Sequence, residues 1–112
     1  MYRFCIILFT LTLVLTGCSS NRYHHDPWLG YDKIMHFTAS GAISFVATSV
    51  ALDNGASDGD AFAVGMGSVI AAGCAKEYFD VTVKGTFWSW KDMTWNTAGG
   101  LAGGCGATSA DK

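Results

Sequence analysis

Three stretches of the chain combine apolar and small residues at helical spacing, and each predicts a helix. They cover about residues 32–52, 57–80 and 89–107. Asn54-Gly55 is a strong turn signal between the first two stretches. Residues 81–88 contain β-branched residues and a Gly, and they predict a loop or a short extended turn. Since short connections place consecutive helices antiparallel, the pattern predicts an all-α fold in up-down-up order.

Polar residues mark the predicted helix starts. Ser57 lies three residues before Asp60, which suits a helix N-terminus. Ser89 lies three residues before Asp92, which resembles a capping box with Asp in place of the usual Glu. Asp32 is positioned to cap the first helix.

Small residues, together with a few polar ones, form a stripe along each predicted helix. The stripe positions are His36, Ser40, Ser44, Ala47 and Ala51, then Gly65, Ser68, Ala71, Ala72, Gly73 and Ala75, then Asp92, Asn96, Gly99, Gly103 and Gly106. Such stripes let helix backbones approach closely, which is typical of packing inside membranes. A tightly packed soluble bundle is the alternative.

Charged residues are missing from most of each helix. Residues 34–52, 61–75 and 93–110 contain no Asp, Glu, Lys or Arg. A helix of a soluble bundle needs a polar outer face, so this pattern favours helices embedded in or lying on a membrane. The acidic loop 53–60 argues against a hairpin that exposes it to the cytoplasm, where loops are rich in Lys and Arg. Spanning and lying on the membrane both stay open.

The N-terminus has the features of a bacterial lipoprotein signal. Arg3 precedes an apolar run over residues 4–14, which is shorter than the ~20 residues of an ordinary membrane span. The run ends in Leu-Thr-Gly-Cys, residues 15–18, which looks like a lipobox. We expect cleavage before Cys18 and acylation of that residue, for example with palmitate. An uncleaved N-terminal anchor is the alternative.

This interpretation divides the chain into three parts. Residues 1–17 form the cleaved signal peptide, 18–30 the lipidated cysteine and a tether, and 31–108 the three-helix membrane-associated domain. Ser19, in place of an Asp that would retain the protein in the inner membrane, favours a periplasm-facing outer-membrane location in a Gram-negative cell. The nine residues from Cys18 to Pro27 reach at most about 30 Å, so the tether holds the domain close to the bilayer.

Composition excludes some functions. The chain has 112 residues, a net charge of −2 and no basic run, which makes nucleic-acid binding improbable. After cleavage, Cys74 and Cys105 remain besides the lipidated cysteine. The predicted helices separate them by about 15 Å along the bundle at ~1.5 Å per residue, whereas bridged Cα atoms lie within about 7 Å. We therefore expect two free thiols. No spacing matches a metal motif, so no metal or cofactor is predicted.

The up-down-up order brings most polar residues of the domain to one end, which we call the polar layer. Its members are Asp32, Lys33, His36, Lys76, Glu77, Asp80, Lys91, Asp92 and Asn96. The same end collects Trp28, Tyr31, Tyr78, Phe79, Trp88, Trp90 and Trp95. Trp and Tyr favour the membrane interface, which agrees with a lipid anchor at this end.

Two interpretations of the polar layer are open. In the first, the candidate catalytic or binding residues His36, Glu77, Asp80 and Asp92 converge to bind a divalent metal or to perform acid-base chemistry on a lipid or phosphate group. In the second, the groups only satisfy one another. Lys76 and Asp80 form an i,i+4 pair, Asn96 bridges helices, and the layer closes the bundle. The second interpretation is favoured because such networks are common in small bundles.

Three blocks of sequence resemble a known family. "DKIMHF" (32–37), "KEYFD" (76–80) and "SWKDMTWNTAGG" (89–100) look like the signature blocks of small YfiM-like bacterial lipoproteins, a family of unknown function. More distantly, the first and third blocks are similar to VanZ-like membrane proteins. The resemblance covers about residues 28–104 and implies a lipoprotein with helical membrane-associated segments. It implies no catalytic assignment.

The sequence therefore predicts a lipid-anchored cell-envelope protein. The favoured function is a non-enzymatic accessory or scaffold that packs against the membrane, a second copy of itself or helices of a membrane protein. The alternative is an enzyme or ligand-binding site that acts on lipid or phosphate headgroups through the His/Glu/Asp cluster. Membrane lipid, bound through Cys18, is the one partner that the sequence names directly.

Overall fold

Among the residues that the computed structural model describes, 28–85 and 88–112, the chain forms three α-helices and no strand. Helix α1 covers Tyr31–Asp53, α2 covers Asp58–Thr82 and α3 covers Trp90–Ala110. The predicted all-α fold is confirmed. Helix α2 continues two residues past the predicted end, so the predicted loop is shorter. The predicted signal peptide, the predicted lipidation site Cys18 and most of the predicted tether lie outside the described residues.

Contacts between helix ends establish the up-down-up order. Lys33 at the start of α1 forms an ion pair with Asp92 at the start of α3, so these two helices are parallel. Lys112, just past the end of α3, lies 2.9 Å from a carboxylate oxygen of Asp58 at the start of α2. Helix α2 therefore runs opposite to both, and the polar layer forms at a single end as predicted.

The predicted serine caps are present, and the predicted Asp cap is not. The hydroxyl of Ser57 accepts from the backbone N–H of Asp60 at 3.2 Å. Helix α1 instead begins after Gly30, without a side-chain cap. Asp32 lies inside the first turn, where its carboxylate accepts from Lys33 at 2.7 Å. The prediction for Asp32 was wrong because a buried lysine competes for that carboxylate.

Helices α1 and α3 pack backbone against backbone. Gly99 and Gly103, four residues apart on α3, face the carbonyl oxygens of Phe37 and Gly41 on α1. A Cβ atom at either glycine would overlap the facing oxygen. Glycines spaced by four residues permit this close approach of two helix backbones. The stripe on the third predicted helix indicated such an approach.

Helix α2 packs against both α1 and α3 through glycines that face side chains. Gly65 lies against Ser44 and Thr48 of α1, and Gly73 lies against the Asn96 side chain of α3. The buried stripe of α1 continues from Ser44 to Thr48, while the predicted positions Ala47 and Ala51 are only half-buried. Thr48 continues the buried stripe because it lies four residues after Ser44, on the same helical face. Both residues lie against Gly65 of α2.

The distribution of polar and apolar side chains is the reverse of a soluble protein. In the described part of the chain, the buried apolar residues are Ala39, Ala61, Val69 and Ala107. Eleven buried residues are polar or charged: Lys33, His36, Ser40, Ser44, Thr48, Lys76, Glu77, Asp80, Ser89, Asp92 and Asn96. Fourteen large apolar side chains of the described residues are exposed, and others, such as Met66 and Trp95, are half-buried. The core is therefore held by glycine contacts and polar networks more than by apolar burial.

The exposed large apolar residues are concentrated at the polar-layer end, where they form what we call the apolar collar. Its members are Trp28, Leu29, Tyr31, Ile34, Phe37, Tyr78, Phe79, Val81, Val83 and Trp90. Leu29, Tyr31 and Trp90 expose 78%, 76% and 73% of their surface. An ionic interior and an apolar exterior thus occupy the same end of the bundle.

Candidate functional site

The polar layer is built from the ends of all three helices. Lys33 and His36 come from the first two turns of α1, and Asp92 and Asn96 from the first two turns of α3. Lys76, Glu77 and Asp80 come from the last two turns of α2. All seven are buried. Because α2 is antiparallel to the others, residues distant in sequence meet at one level.

Asp92 is the hub of the layer. One carboxylate oxygen, Oδ1, accepts from the Lys33 ammonium, and Oδ2 lies 3.1 Å from Nε2 of His36. Its backbone N–H donates to the Ser89 hydroxyl at 3.1 Å, which caps α3. Burial alone would raise the pKa of Asp92, but the hydrogen bonds from His36 and Lys33 lower that pKa to about 2. Asp92 is therefore a carboxylate at neutral pH.

His36 lies between two oxygen acceptors. Its Nδ1 is 2.9 Å from the side-chain oxygen of Asn96, and its Nε2 faces the carboxylate of Asp92. Ser40 donates to the same Asn96 oxygen at 2.8 Å. Asn96 thus bridges α1 and α3 as predicted. With a proton on Nδ1, the ring satisfies both oxygens only if a second proton or another positive charge lies at Nε2.

Glu77 is the least satisfied member of the layer. Its Oε2 accepts from the backbone N–H of Ser89 at 2.9 Å. Its Oε1 is buried without a hydrogen-bond partner, and the residue is 1% exposed. Burial raises the pKa of Glu77, although the Ser89 N–H and the Lys76 ammonium act in the opposite direction. A buried, unsatisfied carboxylate oxygen is costly, so a cation or a proton at Oε1 would stabilise the layer.

The four candidate residues separate into a triad and a neighbour. One ligating atom each of His36, Glu77 and Asp92 lies within 4.8 Å of the others. Asp80 belongs to a different contact. Its carboxylate accepts from Lys76, the predicted i,i+4 pair, and lies 3.7 Å from Lys84. Asp80 lies about one helical turn after Glu77 on α2, near the exposed Lys84.

Two residues of the hydrogen-bond network around the triad, Ser89 and Ser40, were not predicted as members of the site. Ser89 was predicted only as a helix cap, yet its backbone N–H also holds Glu77. Ser40 was predicted as a small stripe residue, yet its hydroxyl holds Asn96. A polar side chain on the same helical face as His36 was the available signal for Ser40. No sequence signal exists for the Ser89 contact, because it depends on the packing of α2 against α3.

Aromatic contacts fix the segment before α1 against α3. The Trp95 ring N–H donates to the Trp28 carbonyl at 2.8 Å, and Phe37 meets Trp95 edge-on at 6.1 Å. Lys91 lies 5.4 Å from the centre of the Trp28 ring, close enough for a cation–π contact. The tether therefore joins the bundle beside the polar layer and the apolar collar.

Comparison with known proteins adds no relative. No family model, no curated protein and no solved structure matches this chain.

The charge of the layer limits what it can bind. Four carboxylates, those of Asp32, Glu77, Asp80 and Asp92, share the buried ammonium groups of Lys33 and Lys76. Among the buried side chains that the structure describes, three carboxylates outnumber two ammonium groups when His36 is neutral, while Lys91 is half-buried and Lys84 is exposed. Since like charges repel strongly in a buried site, the layer favours a proton or a cation over a phosphate group.

Proposed function

We propose that this chain is a lipid-anchored cell-envelope protein with a non-enzymatic accessory or scaffold role at the membrane surface. The observation that carries the proposal is the reversed distribution of side chains. Polar groups fill the interior, and the large apolar groups face outward. A bilayer is the surroundings in which this distribution is stable, because its interface solvates exposed aromatic and aliphatic side chains.

The apolar collar supplies the membrane contact. Fully burying one Leu, Ile or Phe side chain contributes about 1.5–3 kcal/mol, so a few collar residues add substantially to an acyl anchor. The collar lies beside the tether, and the tether begins at the predicted acylation site, Cys18. The lipid chains and the collar would then insert at the same place, with the polar layer at headgroup level.

Helix α1 supports the same location by its composition. Its 23 residues include an 18-residue window with a mean hydropathy of 1.4, of which 28% is buried in the bundle. Length and apolar composition of this kind also occur in core helices of soluble proteins. The low buried fraction agrees with a membrane contact, and α1 exposes Tyr31, Ile34, Phe37 and Phe45.

The glycine-lined contacts indicate how a scaffold role would work. The backbones of α1 and α3 lie against each other, so the bundle is narrow and its outer faces are left for other helices. A second copy of the chain or a helix of a membrane protein is the corresponding partner. The alternative, chemistry on a phosphate headgroup, is disfavoured by the excess of carboxylates in the polar layer.

Quenching of Trp fluorescence tests the membrane contact. All four Trp residues, at positions 28, 88, 90 and 95, lie in the sequence near the polar-layer end. In vesicles containing brominated phosphatidylcholine, we expect stronger quenching by bromines near the carbonyl groups than by bromines near the chain ends. Fluorescence that brominated lipids leave unchanged would contradict membrane insertion of the collar.

Acylation tests the lipid anchor separately. We expect the chain to incorporate a fatty-acid label in cells and to lose its first 17 residues. Cys18→Ala should abolish both labelling and cleavage, while Cys105→Ala, at an exposed thiol, should leave both unchanged. A Cys18→Ala variant that still matures would contradict the lipoprotein interpretation.

A further inference from the structure

We infer that His36, Glu77 and Asp92 form a binding site for one divalent transition-metal ion, with Zn²⁺ as the reference ion. One ligating atom from each residue lies within 4.8 Å of the others, and all three residues are buried. One imidazole and two carboxylates are a donor set that suits Zn²⁺ and neighbouring first-row ions. The inference does not depend on where in the cell the protein resides.

The contact between His36 and Asp92 has the dimensions of two ligands on one ion. Their Nε2 and Oδ2 atoms are 3.1 Å apart. Ligands at the usual 2.0–2.2 Å from Zn²⁺ lie about 3.3 Å apart in a tetrahedral site. The two atoms therefore need to move by only a few tenths of an ångström to share a metal ion.

Asn96 prepares His36 as a ligand. Metal-bound histidines commonly donate their other ring N–H to an oxygen, which fixes the tautomer and orients the ring. Nδ1 of His36 lies 2.9 Å from the Asn96 oxygen, and Ser40 holds that oxygen from the other side. A proton on Nδ1 leaves the lone pair of Nε2 directed at the carboxylate of Asp92. In this tautomer, a cation can bind Nε2 and the carboxylate together, at the place that a proton occupies when His36 donates to Asp92.

Glu77 supplies the independent reason to place a ligand here. Its Oε1 is buried without a hydrogen-bond partner, while Oε2 is held by the backbone N–H of Ser89. A carboxylate fixed at one oxygen and unsatisfied at the other is suited to bind an ion through the second. Asp92 is held in the same way, because Lys33 occupies its Oδ1 and leaves Oδ2 toward His36.

Charge favours an ion over a neutral ligand. Among the buried side chains of the described residues, the carboxylates of Glu77, Asp80 and Asp92 outnumber the ammonium groups of Lys33 and Lys76, and a divalent cation would offset that excess. With three protein ligands, the ion would keep at least one position for water or a further ligand.

Cobalt binding tests the site on the mature protein in detergent after treatment with a chelator. We expect one Co²⁺ per chain, with a visible absorption band that one equivalent of Zn²⁺ removes. Glu77→Gln keeps an oxygen acceptor for Ser89 and removes one ligand charge. It should weaken binding at least about 100-fold, more than loss of an outer-shell partner does. Asp60→Asn is the control, because Asp60 is an exposed carboxylate at the opposite end of the bundle, and it should bind as the wild type does.

The two other histidines of the chain provide a second measurement that does not depend on Glu77→Gln folding. Replacing His24 and His25 by Ala leaves His36 as the single histidine. In this variant, Zn²⁺ should shift the Nε2 resonance of His36 in the nitrogen-15 spectrum. The variant should bind Co²⁺ with the affinity of the wild type. An unshifted His36 resonance would overturn the inference and assign the position between His36 and Asp92 to a proton. Loss of binding in the His24/His25 variant, or equal loss in Asp60→Asn, would also overturn it.

Discussion

At the scale of single residues, the most constrained group is Lys33. It is 1% exposed, although lysine is rarely buried unless it is paired. Its ammonium contacts the carboxylates of Asp32 and Asp92, and it thereby links α1 to α3. Asp92 in turn holds His36, so removal of one lysine would disturb the whole triad.

Lys33→Met should therefore be strongly destabilising. The substitution keeps the length of the side chain but leaves Asp92 buried with one donor fewer, and breaking a buried ion pair costs about 3–5 kcal/mol. Lys91→Met is the control, because Lys91 is only half-buried and lies over Trp28, and its loss should cost less than about 1 kcal/mol. Chemical unfolding followed by circular dichroism measures both, and equal effects would contradict the central position of Lys33.

At the scale of elements, glycine determines how the helices meet. Gly99 and Gly103 touch the backbone of α1 at two consecutive turns. Other glycines have no packing role, for example Gly67, where an added Cβ would meet nothing within 4 Å. The spacing of glycines in the sequence indicated the stripe on α3, but the facing residues on α1 depend on how the two helices are rotated.

Gly103→Ala should separate α1 from α3. The new methyl group would overlap the Gly41 carbonyl oxygen, and overpacking of this kind costs about 1–3 kcal/mol or more. Gly67→Ala on α2 should instead stabilise the protein by up to about 1 kcal/mol, because alanine is the better helix former. Thermal unfolding of the two variants separates these outcomes. A Gly103→Ala protein as stable as Gly67→Ala would rule out the close contact.

At the scale of the whole molecule, the antiparallel placement of α2 decides which residues become neighbours. It brings the triad together at one end and keeps the two cysteines of the domain apart. Cys74 is half-buried on α2, Cys105 is exposed on α3, and both are free. The same placement surrounds an ionic interior with the apolar collar.

Thiol labelling of the non-reduced mature protein should therefore detect two reactive groups. The exposed Cys105 should react quickly, and the half-buried Cys74 should react more slowly because the reagent must reach it through the bundle. Unfolding in detergent and urea should make the two rates equal. Mass spectrometry after labelling measures both sites, and an unlabelled protein would indicate a disulfide and contradict this arrangement of helices.

The sequence by itself determined the elements of this protein. Helical spacing, serine caps and one turn signal were enough to predict three helices and their order, because these signals act within a few residues. The same signals predicted that the polar layer lies at one end, because the level of a residue in the bundle follows from the helix lengths and the up-down-up order. The pair of Lys76 with Asp80 follows from local helix geometry, and the predicted bridge at Asn96 follows from its level in the bundle.

Only the tertiary structure decided which members of the layer touch. Asp80 turns to Lys76 and Lys84, whereas Glu77 joins His36 and Asp92. Positions 36, 77 and 92 have no metal-motif spacing because each comes from a different helix. Contacts between helices depend on rotation about each helix axis, which close packing of glycine sets and which no short stretch of sequence encodes.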